Sequence, residues 1–413
     1  MKLLYKHGGR KLKKKSIVNE AEHQGYASLV GIVNRIRHER MEQEISTLHA
    51  QITSAMENIQ DTESTINDII ASNRGGIKGA HGFIGERVQV GFSNARSLMD
   101  GQEPEYFLID DNGMTDYYRG STCIQQKACQ SDKILGLTHI KKHAAKYPEF
   151  SAEKNGIYQI PKDFYETFVR YRDMPSDVAG KLRNDQWRLW KEIQNFNKEN
   201  PDMVIEPMIV DYDDIQLGAI DKTIAKERAA LDRKYRKKKA AAVERGKASF
   251  SEGIKVTACS ATIEGAIAGG ISVIQHCQDG KTITEFDGSD WKEVGLDTLI
   301  GTGKGAVRGV GIYVISNCAE LSAPVAGVLV NSTMSTTDAT IKYAKGEITG
   351  KECAEEIAEG CLQATVCCAF AKVGEKIIRV PFVGSIIGGA VGMVACGLIS
   401  RSITRPIISC FSE

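Results

Sequence analysis

The sequence predicts an α+β protein of several domains: a long N-terminal helix, a small α/β domain, and a C-terminal Gly-rich α-helical bundle. Three observations predict it. Apolar residues recur at alternating steps of three and four from Ile45 to Ile69, the period of one helix face. Between about 77 and 172, short runs rich in aromatic and β-branched residues alternate with helical stretches and an Asn112-Gly113 turn signal. From Ser249 onward, glycine, alanine and valine take over. At 413 residues the chain has length for two or three cores.

The first region, 1–74, opens on "MKLLYKHGGRKLKKK", basic without one acid and read as a solvated tail. No apolar run follows it as a secretory signal requires, so the chain is expected in the cytoplasm or at the inner membrane. From about Gly25 to Ser72 the pattern is helical. Ile45, Leu48, Ile52, Ala55, Ile59, Thr62, Ile66 and Ile69 form an a/d seam. Such a helix either packs on its neighbour as a hairpin or joins a second copy, making a homo-oligomer through the N-terminal helix. "NRGGIKGAHG" breaks it.

Region 77–172 reads as a compact α/β unit. "GAHGFIGERVQVGFSNARSLM" is a helix, "EYFLID" a strand, "DNGM" a turn and "STCIQQKA" the next strand. "DKILGLTHIKKHAAKYP" is a helix, and "GIYQIPKDFYETF" a short strand entering another helix. In 173–248, "NDQWRLWKEIQNFNKEN" is an amphipathic helix. The basic run "KERAALDRKYRKKKAAAVERGK" lies on a helix too polar to be buried all round, a connector or one arm of a hairpin.

In region 249–413 small residues return every fourth position: Gly265 and Gly269; Gly301, Gly305 and Gly309; Gly384, Gly388 and Gly392. That spacing makes a smooth helix face on which two backbones approach closely. Glycine costs a helix in water about 1 kcal/mol per residue, so its repetition implies packing that offsets the loss. "PFVGSIIGGAVGMVACGLIS", 381–400, carries no charge, is flanked by Arg379, Arg401 and Arg405, and is long enough to span a bilayer core of about 30 Å. A membrane is therefore an expected partner. The two preceding apolar segments contain Lys255, Glu264, Asp297, Lys304 and Arg308. Charges unpaired at bilayer depth are costly, so constitutive insertion of all of them is not expected. The eleven cysteines show no Cys-x-x-Cys pairs and fit a reducing compartment as small buried hydrophobes.

The candidate chemistry lies in 77–172. Hydrolysis of a phosphodiester needs carboxylates to hold a divalent cation, a water made more acidic by it, and a cation where charge builds on phosphate. Glu86 supplies one acid; Asp116, or Asp110 or Asp111, another; the carbonyl near Gln125 a third oxygen; and Lys127 the cation. A strand puts Gln125 and Lys127 on one face and Gln126 on the other. In this order, helix Glu86, hairpin Asp116 and strand Gln125-x-Lys127, the segment 80–172 resembles the PD-(D/E)xK nuclease superfamily. The resemblance implies a restriction-nuclease-like α/β domain that cleaves nucleic acid with Mg²⁺ or Mn²⁺. It places catalysis on Glu86, Asp116, Gln125 and Lys127, and metal binding on Glu86, Asp110, Asp111 and Asp116. Gln125 stands where the family usually has an acid, which weakens the metal site. The layout also resembles bacterial proteins that join such a module to a Gly-rich apolar half, a likeness of arrangement that assigns no activity.

Other patterns fall short. Lysine plus arginine (53) nearly balances aspartate plus glutamate (52), so no global charge points to nucleic acid or anionic lipid. "LDTLIGTGKGAVRG" lacks both the first Gly and the Ser/Thr of a phosphate loop, with Thr298 and Gly305 in their places. His139 and His143, four apart, lack the Glu of a metalloprotease helix and read as a solvated face. Asp211, Asp213 and Asp214 read as a loop capping the next helix. A non-enzymatic alternative remains, a membrane-perturbing or scaffolding protein whose α/β domain binds a partner.

Overall fold

A computed structural model describes residues 2–72, 76–109, 113–129, 135–152, 156–319 and 321–378, with 384–385, 387–389, 391–392 and 395–396. The chain is α+β and divides into two compact units, Met41–Arg245 and Met1–Arg40 with Gly246–Glu413.

Helix α1 (Lys2–Ala71) and helix α2 (Gly76–Met99) precede the sheet. The basic N-terminal stretch is thus helical backbone rather than a tail. Strands β1 (Tyr106–Leu108), β2 (Tyr117–Arg119) and β3 (Thr122–Gln126) form an antiparallel meander. Its second turn uses Gly120 at φ 58°, the left-handed region that glycine enters without a Cβ clash. Then come α3 (Leu137–Lys146), α4 (Glu149–Ala152) and β4 (Ile157–Ile160), which pairs parallel to β3. After α5 (Lys162–Arg172), α6 (Ser176–Ala179) and α7 (Asn184–Glu199), β5 (Val204–Pro207) pairs parallel to β4, giving the order β1-β2-β3-β4-β5. The α/β unit therefore extends past residue 172, because its last strand lies beyond α7. Helix α8 (Ile220–Arg245) closes the unit, burying Ile220, Ile224 and Leu231 along one stripe.

The seam on α1 is covered by the chain itself. Leu48, Ile52, Ala55, Ile59, Ile66 and Ile69 are buried in one core with Ile84, Val88 and Phe92 of α2 and with Ile224 and Leu231 of α8. Of the two expectations for this seam, packing on neighbouring helices of the same chain is the one the structure describes. Burial of each large side chain in this core contributes about 1.5–3 kcal/mol.

In the other unit, α9 (Phe250–Gln278) and α10 (Gly288–Cys318) run antiparallel as a hairpin, followed by α11 (Ala323–Ala344) and α12 (Gly350–Ile377). Their starts are fixed by side chains that accept free amides: Ser249 for α9, Asp287 for α10 and Thr349 for α12. The failed phosphate-loop match falls inside α10, a helix rather than a loop. The core here is small, with Tyr26 and Val30 of α1 meeting Val256, Ile312, Tyr313, Ala326 and Val330. Two segments are long and apolar enough by composition to cross a membrane, one within Ile220–Cys277 and one at Gly350–Gly374. The run 381–400 lies largely outside the described residues; among those described, Gly388 and Gly392 approach α12 at Phe370 and Cys367.

Candidate active site

The sheet places the four residues of the sequence pattern around the carboxyl end of β3. Asp116 stands just before β2, its backbone N–H donating to Ile124 and its carbonyl accepting from Ile109. Its Oδ2 accepts the Gln125 side-chain amide at 2.5 Å and the Gln126 backbone N–H at 2.7 Å. Because an ionised carboxylate only accepts, the Gln125 amide must turn Nε2 toward it. Gln125 Oε1 is left buried with no hydrogen-bond partner among the described residues. An orphaned carbonyl oxygen beside a carboxylate is an environment suited to a hard cation.

Gln126 points to the opposite face, where Nε2 donates to the Gly82 carbonyl of α2 at 3.2 Å. This approach depends on Gly85, since a Cβ there would sit 2.6 Å from Gln126 Nε2. The same face carries a buried polar chain in which Tyr117 Oη donates to Gln159 at 2.6 Å, and Gln159 and Arg119 both donate to Glu206. These bonds fix the sheet end against which Glu86 is set.

Lys127 follows β3, its backbone N–H donating to Gln159 of β4 at 2.8 Å. Burial lowers the pKa of its ammonium, while the charges of Asp116 and Glu86 act against that shift. One cation thus lies in the field of both acids. Glu86 and Lys127 line a cleft of about 380 Å³ together with Gln126, His81, His139, Lys142, His143 and Lys146. Asp116 and Gln125 stand behind it, bonded to each other. Among the described residues, no three His, Cys, Asp or Glu side chains come together as a metal set. Asp110 and Asp111 lie outside the described residues.

Protein-family models, curated proteins and solved structures contain no match to this chain. What the cleft can do is therefore argued from its own residues.

The cleft's basic side was missed in the sequence. His139 and His143 do not form a solvated face: both line the cleft. His143 Nδ1 pairs with the Tyr158 hydroxyl at 2.9 Å, and its ring meets Phe150 edge-on. Burial, with the nearby Lys127 charge, pushes its pKa down to about 4. His81 is also lowered by burial. Both imidazoles are thus neutral near pH 7, and the other basic side chains lining the cleft are Lys127, Lys142 and Lys146 with His139. A basic residue every fourth position on α3 was the available signal. The Asp214 backbone carbonyl accepts from the Thr223 hydroxyl at 2.9 Å and its carboxylate lies 3.2 Å from Lys226, contacts to side chains of α8 in place of the expected amide cap.

Proposed function

We propose that the unit Met41–Arg245 is a metal-dependent, nuclease-like domain acting on phosphodiesters of nucleic acid, and that the Gly-rich helical half interacts with a membrane. The observation that carries the first part is that Glu86 and Lys127 share one cleft at the carboxyl end of β3, with Asp116 acting on the same lysine. Ligands of open α/β sheets favour that end of the strands. The order of elements also supports the reading: a helix with Glu86, an antiparallel meander with Asp116 and Gln125, then a helix and a parallel strand.

In this reading Lys127 donates to a non-bridging phosphate oxygen, where charge grows as water attacks phosphorus and the bond to the leaving oxygen breaks. Lys142 and Lys146 hold neighbouring phosphates as point charges. Gln125 keeps Asp116 in place through its amide. Glu86 in the cleft, with Asp116 behind it, would supply the carboxylates for Mg²⁺ or Mn²⁺, whose chemistry there would be a more acidic water and neutralised developing charge.

Plasmid DNA and RNA incubated with Mg²⁺ or Mn²⁺ test it. Cleavage is expected, with Lys127→Ala and Glu86→Ala each lowering the rate by at least a hundredfold. Cleavage that survives both substitutions, or none at all, defeats the nuclease reading. A second reading, a membrane-perturbing or scaffolding protein whose α/β domain binds a partner, is favoured by the amide at Gln125 where an acid would serve a metal better. It expects vesicle leakage that survives Glu86→Ala and Lys127→Ala.

A further inference from the structure

Along the middle of the α9–α10 hairpin the contact between the helices is made by small and polar groups, while a row of large apolar side chains on α10 faces outward. On the buried side of α10, Gly301, Gly305 and Gly309 face α9. A Cβ on Gly305 would lie 2.5 Å from the Ser260 carbonyl oxygen, so the two backbones touch. Within that contact the Arg308 guanidinium pairs with the Glu264 carboxylate, both side chains buried. The opposite side of α10 bears Leu296, Leu299, Ile300, Val307, Val310 and Val314, all exposed, Leu299 at 68% and Val307 at 61%. At about 100° per residue these six fall within one stripe, which runs for about 27 Å at the helical rise. A water-soluble hairpin has the reverse pattern.

We propose that this outward face of α10 seats against the acyl chains of a lipid bilayer. The proposal rests on the membrane part of the preceding reading and names the surface that carries it. Three features favour lipid over another protein. Stripe length matches a hydrocarbon core of about 30 Å. Its residues are Leu, Ile and Val, whereas protein interfaces favour Tyr, Trp, Met and Arg. The ionic groups expected to forbid lipid contact are partly removed from it, because Arg308 and Glu264 neutralise each other against α9. Considered alone, α10 is too charged to enter lipid; paired with α9 it keeps exposed Lys292 and Glu293 near its start, beyond the apolar stripe, and exposed Lys304 at the stripe's edge. The hairpin therefore meets the bilayer already paired, not one helix at a time.

The test is flotation of the full chain with phosphatidylcholine/phosphatidylglycerol vesicles, comparing wild type with Val307→Asp and Leu299→Asp. Both sites are exposed, so the fold is expected to survive, as checked by circular dichroism. Sedimentation velocity without vesicles gives the mass. In a Trp187→Phe/Trp190→Phe background, quenching of Trp291 by brominated lipid reports the depth of the hairpin's turn. Flotation of wild type, with at least a tenfold lower bound fraction for each Asp variant and quenching of Trp291, supports the proposal. Equal flotation of wild type and variants overturns it while leaving the membrane reading to other segments. A wild type that never floats overturns both. An oligomer that Val307→Asp converts to monomer, with no vesicle binding, assigns the stripe to a second copy and overturns it too.

Discussion

Gln125 and Asp116 are held together by an amide-to-carboxylate hydrogen bond of 2.5 Å, which leaves Gln125 Oε1 buried and unpaired among the described residues. Replacing that amide by a second carboxylate separates the two explanations of the pair. If it is only a structural brace, Gln125→Glu sets two buried like charges side by side and costs about 2 kcal/mol whatever ions are present. If the two residues frame a cation site, the same substitution makes stability depend on the cation. We expect Gln125→Glu to lower the melting temperature by about 4–8 °C in chelator, and millimolar Mn²⁺ to restore most of it. Differential scanning fluorimetry reads both. A loss that Mn²⁺ leaves untouched removes the cation from the proposal.

His143 supplies a prediction in pH. Its pKa in the folded chain is about 4, below the ordinary 6.5, because burial and the Lys127 charge disfavour the imidazolium. Above the ordinary value both folded and unfolded forms are neutral, and His143 costs nothing. As pH falls from 6.5 toward 4 the unfolded chain takes a proton that the folded chain refuses, so stability declines across that window. Urea unfolding at pH 7.5 and 4.5 is expected to show a smaller decline for His143→Asn than for wild type. Equal declines place the acid sensitivity elsewhere.

How much of this was legible follows from length and period. The seam on α1 spans enough turns for its period to be unambiguous, and Pro161 marked the passage from β4 into α5. Strand β2 escaped because Tyr117–Arg119 is three residues long, too short for an alternation to show. Strand β5 escaped because Val204–Pro207 is four residues ending in proline, after a long helix. The divergence of Gln125 and Gln126 followed from strand alternation, whereas Lys127, just past the end of β3, lines the cleft with Gln126 and not with Gln125 as the alternation predicts. The basic wall did not follow from it: His143 is shielded by Tyr158 and Phe150, side chains from segments ending and beginning after α3, and local periodicity is blind to such neighbours.

Helix α8 holds α2 through Glu227, whose carboxylate is buried and receives two bonds of 2.6 Å from Arg96. Truncating the half-exposed arginine strands the buried acid. Arg96→Met is expected to cost about 2–3 kcal/mol, discounted from a fully buried pair for the arginine's access to water. Adding Glu227→Gln to that variant is expected to recover at least half. Denaturant titrations of the two single variants and the double variant check this. Additive losses mean that the two residues stabilise the unit independently.

Ile59 decides what the α1 seam is for. It is fully buried among side chains of its own chain. Ile59→Ala removes buried carbon and leaves a cavity, expected to cost about 3 kcal/mol, with the sedimentation mass unchanged. A seam shared between copies gives the opposite signature: a lower mass at equal intrinsic stability, and a melting temperature that rises with protein concentration. Sedimentation velocity with concentration-dependent melting separates the two. A mass that falls in Ile59→Ala would mean that the helix is held by a second chain, and that the core assigned to Met41–Arg245 is completed only on assembly.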